Sequence, residues 1–337
     1  MENKTTKILL GHGSGGRMTH ELIAAVFKKR FSNPVLNSLD DAAVLTPKPG
    51  RLAFTTDSFV VNPIFFPGGD IGKLAVFGTV NDLAMKGAKP FAISVAAIIE
   101  EGLDISVLEK ITDSVAAAAR QAGVLVATGD TKVVERGKAD KIFLTTSGVG
   151  IVEKNINISG AGARPGDSVL INGTLGDHGI AVLSARNDFK LRSGIKSDCA
   201  ALNHLVLKLL SKCRDTHVLR DPTRGGLATT LNEIASSSGV GIILDEKDIP
   251  VNGAIKAACA ILGLDPLYVA NEGKFTAILP AKDAAKAIAV MRADKLGRAS
   301  RIIGKVVKSP KGVWLNTVSG GLRPIVMLEG EQLPRIC

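Results

Sequence analysis

Five short motifs place aspartates where an apolar run meets a turn: Asp40 and Asp41 in LDDAAV, Asp57 in FTTDSFV, Asp82 in TVNDLAM, Asp130 in ATGDTKVV and Asp221 in LRDPTRGG. A single aspartate in such a place is most often a helix cap or a turn residue. Several gathered in one cleft repel each other unless cations intervene, and hard carboxylate oxygens with phosphate nearby suit Mg²⁺. If they converge, the natural chemistry is Mg-nucleotide binding, with Lys132 two residues after Asp130 set to meet a phosphate or a developing negative charge. Glu272, in NEGK just before an apolar run, has two readings: an exposed turn, or a general base in a dehydrated cleft. The last residue, Cys337 in PRIC, is too close to the chain end for prenylation. A passive thiol and a nucleophile or carrier arm beside Arg335 remain as its two readings. The other cysteines, Cys199, Cys213 and Cys259, form no CxxC and no zinc spacing.

The N-terminal GHGSGG matches a dinucleotide fingerprint through Gly11, Gly13 and Gly16, with a plain tight turn as the alternative; it lacks the GK[ST] ending of a P-loop. The periodicity predicts a strand over 7–10 before it and a helix over 19–31 after it, with Thr19 as the N-cap. Further strands are expected at 51–57, 91–99, 124–128, 141–152, 168–172, 240–244, 275–280 and 301–307. Helices are expected at 71–86, 105–122, 200–212, 225–238 and 281–292, with Gly123 and Gly239 as C-caps. Helices and strands alternate, so the class is α/β or α+β. The Gly- and Pro-rich stretch over 158–167 reads as a hinge, and residues 316–337 read as an extended or mobile tail.

At 337 residues the chain is about twice a typical domain length, which favours two cores. The expected division is 1–157, 158–315 and a tail, 316–337, carrying Cys337. A formal net charge of +10 raises nucleic acid as a partner, but one Trp and one Tyr make no stacking platform. Much of the excess lies over 286–311, where eight basic residues face one acidic residue, Asp294. That segment reads either as a solvated face or as a docking surface for an acidic partner. No apolar run is long enough to span a membrane, and residues 1–7 show no signal-peptide core, so a cytoplasmic protein is expected.

The motifs GHGSGG, LDDAAV, TTDSFVV, FFPGGDIGKLAVFGTVNDLAM, GDTKVV, DPTRGGLATTLNEIA, LGLDPLYVANEGK and the terminal PRIC together resemble the HypE family of hydrogenase maturation proteins over nearly the whole chain. That family sits in a superfamily with aminoimidazole ribonucleotide synthase, selenophosphate synthetase and thiamine monophosphate kinase. The resemblance implies a two-domain aminoimidazole ribonucleotide synthase-like fold whose N-terminal domain pairs in a homodimer to form a β-barrel. It also implies ATP and Mg²⁺ as cofactors. The implied reaction is dehydration of an S-carbamoyl group on Cys337 to a thiocyanate, the source of the cyano ligand of NiFe hydrogenase. The implied partners are the carbamoyltransferase HypF and a HypC–HypD complex as cyano acceptor; neither nucleic acid nor membrane is among them. On this reading Asp41, Asp57, Asp82 and Asp221 hold metal and phosphate, Asp130 and Asn81 join the nucleotide set, Lys132 stabilises charge and Glu272 is the base. The alternative is an ATP-dependent small-molecule synthase or kinase of the same superfamily, which has no use for a terminal cysteine.

Overall fold

The computed structural model describes residues 6–39, 42–186 and 194–328. The N-terminal segment runs through a 3-10 turn, Leu10–Gly13, into α1 (Arg17–Leu22), a π-helical stretch (Ile23–Lys28) and α2 (Lys29–Phe31). Then follow β1 (Arg51–Phe59), the small hairpin β2 (Phe65–Phe66) and β3 (Gly69–Asp70), α3 (Ile71–Met85), β4 (Ala88–Glu100), α4 (Ile105–Ala122), β5 (Leu125–Val134) and β6 (Ile142–Val152). The second half holds β7 (Asp167–Ile171), α5 (Asp177–Ala185), α6 (Asn203–Lys212), β8 (Val218–Arg220), α7 (Gly226–Ser238), β9 (Gly241–Asp245) and α8 (Gly253–Leu262). It ends with β10 (Thr276–Pro280), α9 (Ala281–Arg292), β11 (Arg301–Val307), β12 (Gly312–Asn316) and β13 (Leu322–Ile325). Among the described residues no helix is long and apolar enough to cross a membrane.

Two sheets organise the chain. The first has the order β1-β6-β4-β5, and the second β13-β12-β9-β11-β7-β10-β8. Helix α3 packs on the first sheet and also touches α4, α6 and β8. It is therefore apolar on nearly every side, with thirteen of its fifteen residues buried, as expected of a helix with neighbours all round. Its start is fixed by Asp70, whose carboxylate accepts from the N–H groups of Gly72 and Lys73 at 2.8 and 3.0 Å, satisfying two first-turn donors. On the other face of the first sheet Leu52 and Phe54 of β1 are 65% and 71% exposed.

Three expectations need correction. Residues 7–10 form no strand: Lys7 makes only an isolated bridge to Asp104, and Leu10 already begins the 3-10 turn. Gly16, not Thr19, caps α1; Thr19 Oγ1 instead accepts from the N–H of Gly15 at 2.9 Å, which stabilises the turn from inside the first helical turn. Residues 316–325 are not a tail, because β13 pairs antiparallel with β12 and Ile325 is buried. The sequence there is short and turn-rich, and its strand character comes from pairing rather than periodicity. Helices α5 and α8 and strand β8 were also missed. The first two are short and Gly/Ala-rich, and β8 has three residues, so none shows a long periodic pattern.

Candidate functional site between the two halves

A cleft of about 850 Å³ opens between the two halves, lined among others by Asp57, Asp82, Asp221, Arg224 and Glu272. Asp57 comes from β1, where Thr55, Asp57 and Phe59 alternate toward α3 while Thr56 and Ser58 point away. Asp82 comes from the last turns of α3. Gly78, one turn earlier, allows the close approach, since a Cβ there would stand 2.8 Å from the Phe59 ring. With helix and strand this close, Thr55 Oγ1 donates to Asp82 Oδ2 at 2.8 Å, and the Asp57 and Asp82 carboxyls line the same cleft wall.

Asp221 sits in the loop from β8 to α7, whose TRGG turn needs positive φ at Gly225 and Gly226. Asn271 ties this loop to NEGK: its side chain donates to Pro222 O at 3.0 Å and accepts from the N–H of Gly176 at 2.8 Å. Glu272 is pinned by its backbone. Its N–H and that of Gly273 donate to the Asp198 carboxylate at 3.2 Å each, and Asn81 donates to its carbonyl at 3.3 Å. Behind it, Lys274 Nζ lies 2.8 Å from Asp198 and 3.8 Å from Asp177.

The electrostatics follow from this crowding. Burial, then the neighbouring Asp82, pushes Asp57 up to about 6. Burial and Asp82 push Asp221 up to about 7. Asp82 is raised, chiefly by burial. Glu272 is pushed well above the usual carboxylate range by burial and by Asp221, Asp198 and Asp57. Asp198 goes the other way: burial alone would raise it, but Lys274 against it holds it below its ordinary value. Four raised carboxyls facing one cleft make a site that favours a cation or a proton, and one of them titrating near neutrality suits proton transfer. Among the described residues no three acidic, His or Cys side chains already converge as a metal cage. Mg²⁺ asks for less, being held by one or two carboxylates plus phosphate oxygens and water, and Asp57 and Asp82, lining one cleft, offer oxygens of that kind.

Not every expected residue is brought here. Asp130 and Lys132 line a second cavity of about 460 Å³ together with Gly13 and Gly15 of the glycine loop, and with Ala42 and Ala43. In register, Asp57 stands opposite Thr146, Thr146 opposite Val95, and Val95 opposite Gly129. Asp130, one residue on, therefore points to the other face, and two strands, or roughly 14 Å, separate it from Asp57. Asn81 does not line the cleft. It is buried, donates to Ala200 O at 3.0 Å, and accepts from the N–H of Leu202 at 2.8 Å. Asp40, Asp41 and Cys337 lie outside the described residues. Cys199, Cys213 and Cys259 are buried free thiols pushed up by burial, which makes them poor nucleophiles. The sequence reading missed Arg224, Asp198 and Lys274. Arg224 stood inside the quoted LRDPTRGG motif, whereas Asp198 carries no local signal at all.

Residues 39–152 match the model of the AIR synthase related protein N-terminal domain, and residues 164–314 that of the C-terminal domain. The chain is 53% identical to the carbamoyl dehydratase HypE of Cupriavidus necator, over 99% of this chain and 96% of that one. It is 42% identical to the carbamoyl dehydratase HypE of Escherichia coli, over 98% and 99%. Among solved structures, a hydrogenase maturation protein HypE in complex with ATP superposes with a TM-score of 0.94 at 50% identity, covering 98% of this chain and 99% of that one. A HypE–HypF complex superposes at 0.81 with 47% identity, covering 93% of this chain and 100% of that one. Thiamine monophosphate kinase from Aquifex aeolicus, at 21% identity and a TM-score of 0.61 over 94% of this chain and all of that one, shares the fold. Two AIR synthase related halves, and identities this high over whole chains, place the protein in the carbamoyl dehydratase HypE family.

Proposed function

We propose that this chain uses ATP and Mg²⁺ to dehydrate an S-carbamoyl group on its own Cys337 to a thiocyanate, the source of the cyano ligand of NiFe hydrogenase. The observation that carries the reading is the meeting of Asp57, Asp82, Asp221 and Glu272, from four separate segments, in one cleft. Bound ATP with its metal supplies the phosphoryl group that turns the amide oxygen into a leaving group. Asp57, Asp82 and Asp221, with Asp41 from the preceding LDDAAV segment, hold the metal. Glu272 takes protons from the amide nitrogen, as its raised affinity for protons permits. The Cys337 sulfur carries the group and is itself unchanged in oxidation state. The net reaction balances as R–S–C(O)NH₂ plus ATP giving R–S–C≡N, ADP, phosphate and a proton.

Lys132 and Asp130 enter through a homodimer. The first sheet has β1 and β5 at its edges, and on one of its faces Leu52, Phe54, Ile98 and Leu125 are between 41% and 71% exposed. Open edges and apolar surface of this kind call for a covering partner. Pairing β1 with the partner's β5 closes a barrel and brings the second cavity, with the partner subunit's Lys132, alongside the acidic cleft. HypF as carbamoyl donor, a HypC–HypD complex as cyano acceptor and a cytoplasmic location complete the reading.

The test is mass spectrometry of the C-terminal peptide of carbamoylated protein. ATP and Mg²⁺ are expected to make it lighter by one water, and an Asp82→Asn variant to lose that conversion. Cyanide transfer that persisted in Cys337→Ala, or ATP turnover on a small molecule unaffected by removing PRIC, would sink the proposal and favour a superfamily kinase or synthase.

A further inference from the structure

The basic excess of the second half gathers around a concavity that shares no lining residue with the two cavities above. Lys247, Lys256, Arg292, Arg298 and Arg301 line a pocket of about 400 Å³, and no carboxylate belongs to its wall. They come from four separate places: the 3-10 turn Glu246–Asp248, α8, the end of α9, and the start of β11 with the turn before it. Some surface cations are paired, such as Arg30 with Asp113 and Lys208 with Asp294. Here, among the described residues, the side chains of Lys247, Lys256, Arg298 and Arg301 have neither an ion pair nor a hydrogen bond.

Two of the nearby acids are engaged elsewhere, and Asp248, beside Lys247 in the same 3-10 turn, does not line the pocket. Glu246 accepts from the N–H of Val318 at 2.8 Å, and Asp177 accepts from Thr174 and Asn252 at 2.5 and 3.0 Å. Because Thr174 and Asn252 are themselves part of the pocket wall, those hydrogen bonds also hold the wall in place. Arg292 is oriented by two bonds from Nε and Nη2 to Ser300 O at 3.0 and 2.8 Å, which leaves Nη1 free for a ligand. Five like charges around one concavity repel each other, and an anion among them relieves that repulsion.

We propose that this pocket binds a small phosphate-bearing anion. The guanidinium forks of Arg298 and Arg301 match phosphate oxygens bidentately, and Arg292 adds a donor from Nη1, which two lysines alone would not do. The volume falls within the range of small-molecule sites, and Ile249, Pro250 and Val251 add apolar surface to the wall. The ligand class is a polyphosphate or the phosphate group of a metabolite, and the site is distinct from the acidic cleft.

Calorimetric titration of the full chain with inorganic tripolyphosphate, in the absence of divalent cations so that the acidic cleft repels the probe, tests this. Saturable binding at one equivalent per chain is expected. It should weaken at least about tenfold in Arg298→Ala/Arg301→Ala, less in Arg298→Lys/Arg301→Lys, and not at all in Asp82→Asn. Both arginines are exposed, so thermal unfolding of the variants should match the parent. No saturable binding, binding that survives the double alanine change, or tighter binding of a hexaglutamate peptide than of tripolyphosphate each overturns the proposal.

Discussion

At Asp221 a local motif and a tertiary effect meet. The motif LRDPTRGG marks a turn, but only the fold places this carboxyl beside Asp82 and lifts it from 3.8 to about 7. Because its folded pKa is raised, the native state holds a proton that the unfolded chain has lost between pH 4 and 7. The associated stability is fully present below about pH 4 and is lost as pH rises through 7. Asp221→Asn removes that loss, so the unliganded variant should be more stable than the parent at pH 8 by on the order of 1 kcal/mol, discounted because the group still meets cleft solvent. Urea midpoints at pH 4 and pH 8 check this, and an equal difference at both would contradict it. Asp198 is the opposite case. Asp198→Ala strands the buried Lys274 ammonium and frees two N–H groups at Glu272 and Gly273. A loss of about 3 kcal/mol is expected, toward the low end because Asp177 remains 3.8 Å away. Chemical denaturation measures it.

Helix α3 shows what the pattern of an element conveys and what it hides. Its bounds, Ile71–Met85, follow closely from the sequence, since Asp70 caps it and Gly87, at φ +69°, follows its end. The different duties of adjacent Asn81 and Asp82 do not follow, because both read as polar residues in one apolar run. Asp82 turns to β1, whereas Asn81 makes three hydrogen bonds to backbone groups of residues 200, 202 and 272. Asn81→Ala leaves those buried groups unpaired and should cost about 2 kcal/mol. It should also loosen the Glu272 segment, visible as faster amide exchange at 272–274. Unchanged exchange there would mean that Asp198 alone holds the segment. The glycine loop carries a similar lesson. Gly13 is required because a Cβ would stand 2.6 Å from the Val133 nitrogen, so the fingerprint spacing reflects packing against β5 as well as the cavity it lines.

For the molecule as a whole, the uncovered face of the first sheet is the feature that most needs a partner. Phe54→Glu places a charge in the middle of that face, where Phe54 is 71% exposed in the single chain. In sedimentation it should convert the proposed homodimer to monomer while far-ultraviolet circular dichroism stays unchanged. A variant that remains dimeric would refute pairing through this sheet. The sequence by itself determined the alternation of strands and helices, the two-part organisation and the family, because apolar periodicity, cap residues and motif order are local and survive without coordinates. The tertiary structure decided which acidic residues share a cleft, that Asp130 and Lys132 lie across the sheet from it, and that Asn81 bonds to backbone groups of residues 200, 202 and 272. It also joined residues 316–325 to the second sheet and gathered five cations around one pocket. These facts depend on strand order, register and helix rotation, which bring together residues far apart in sequence, and no local pattern encodes such distances.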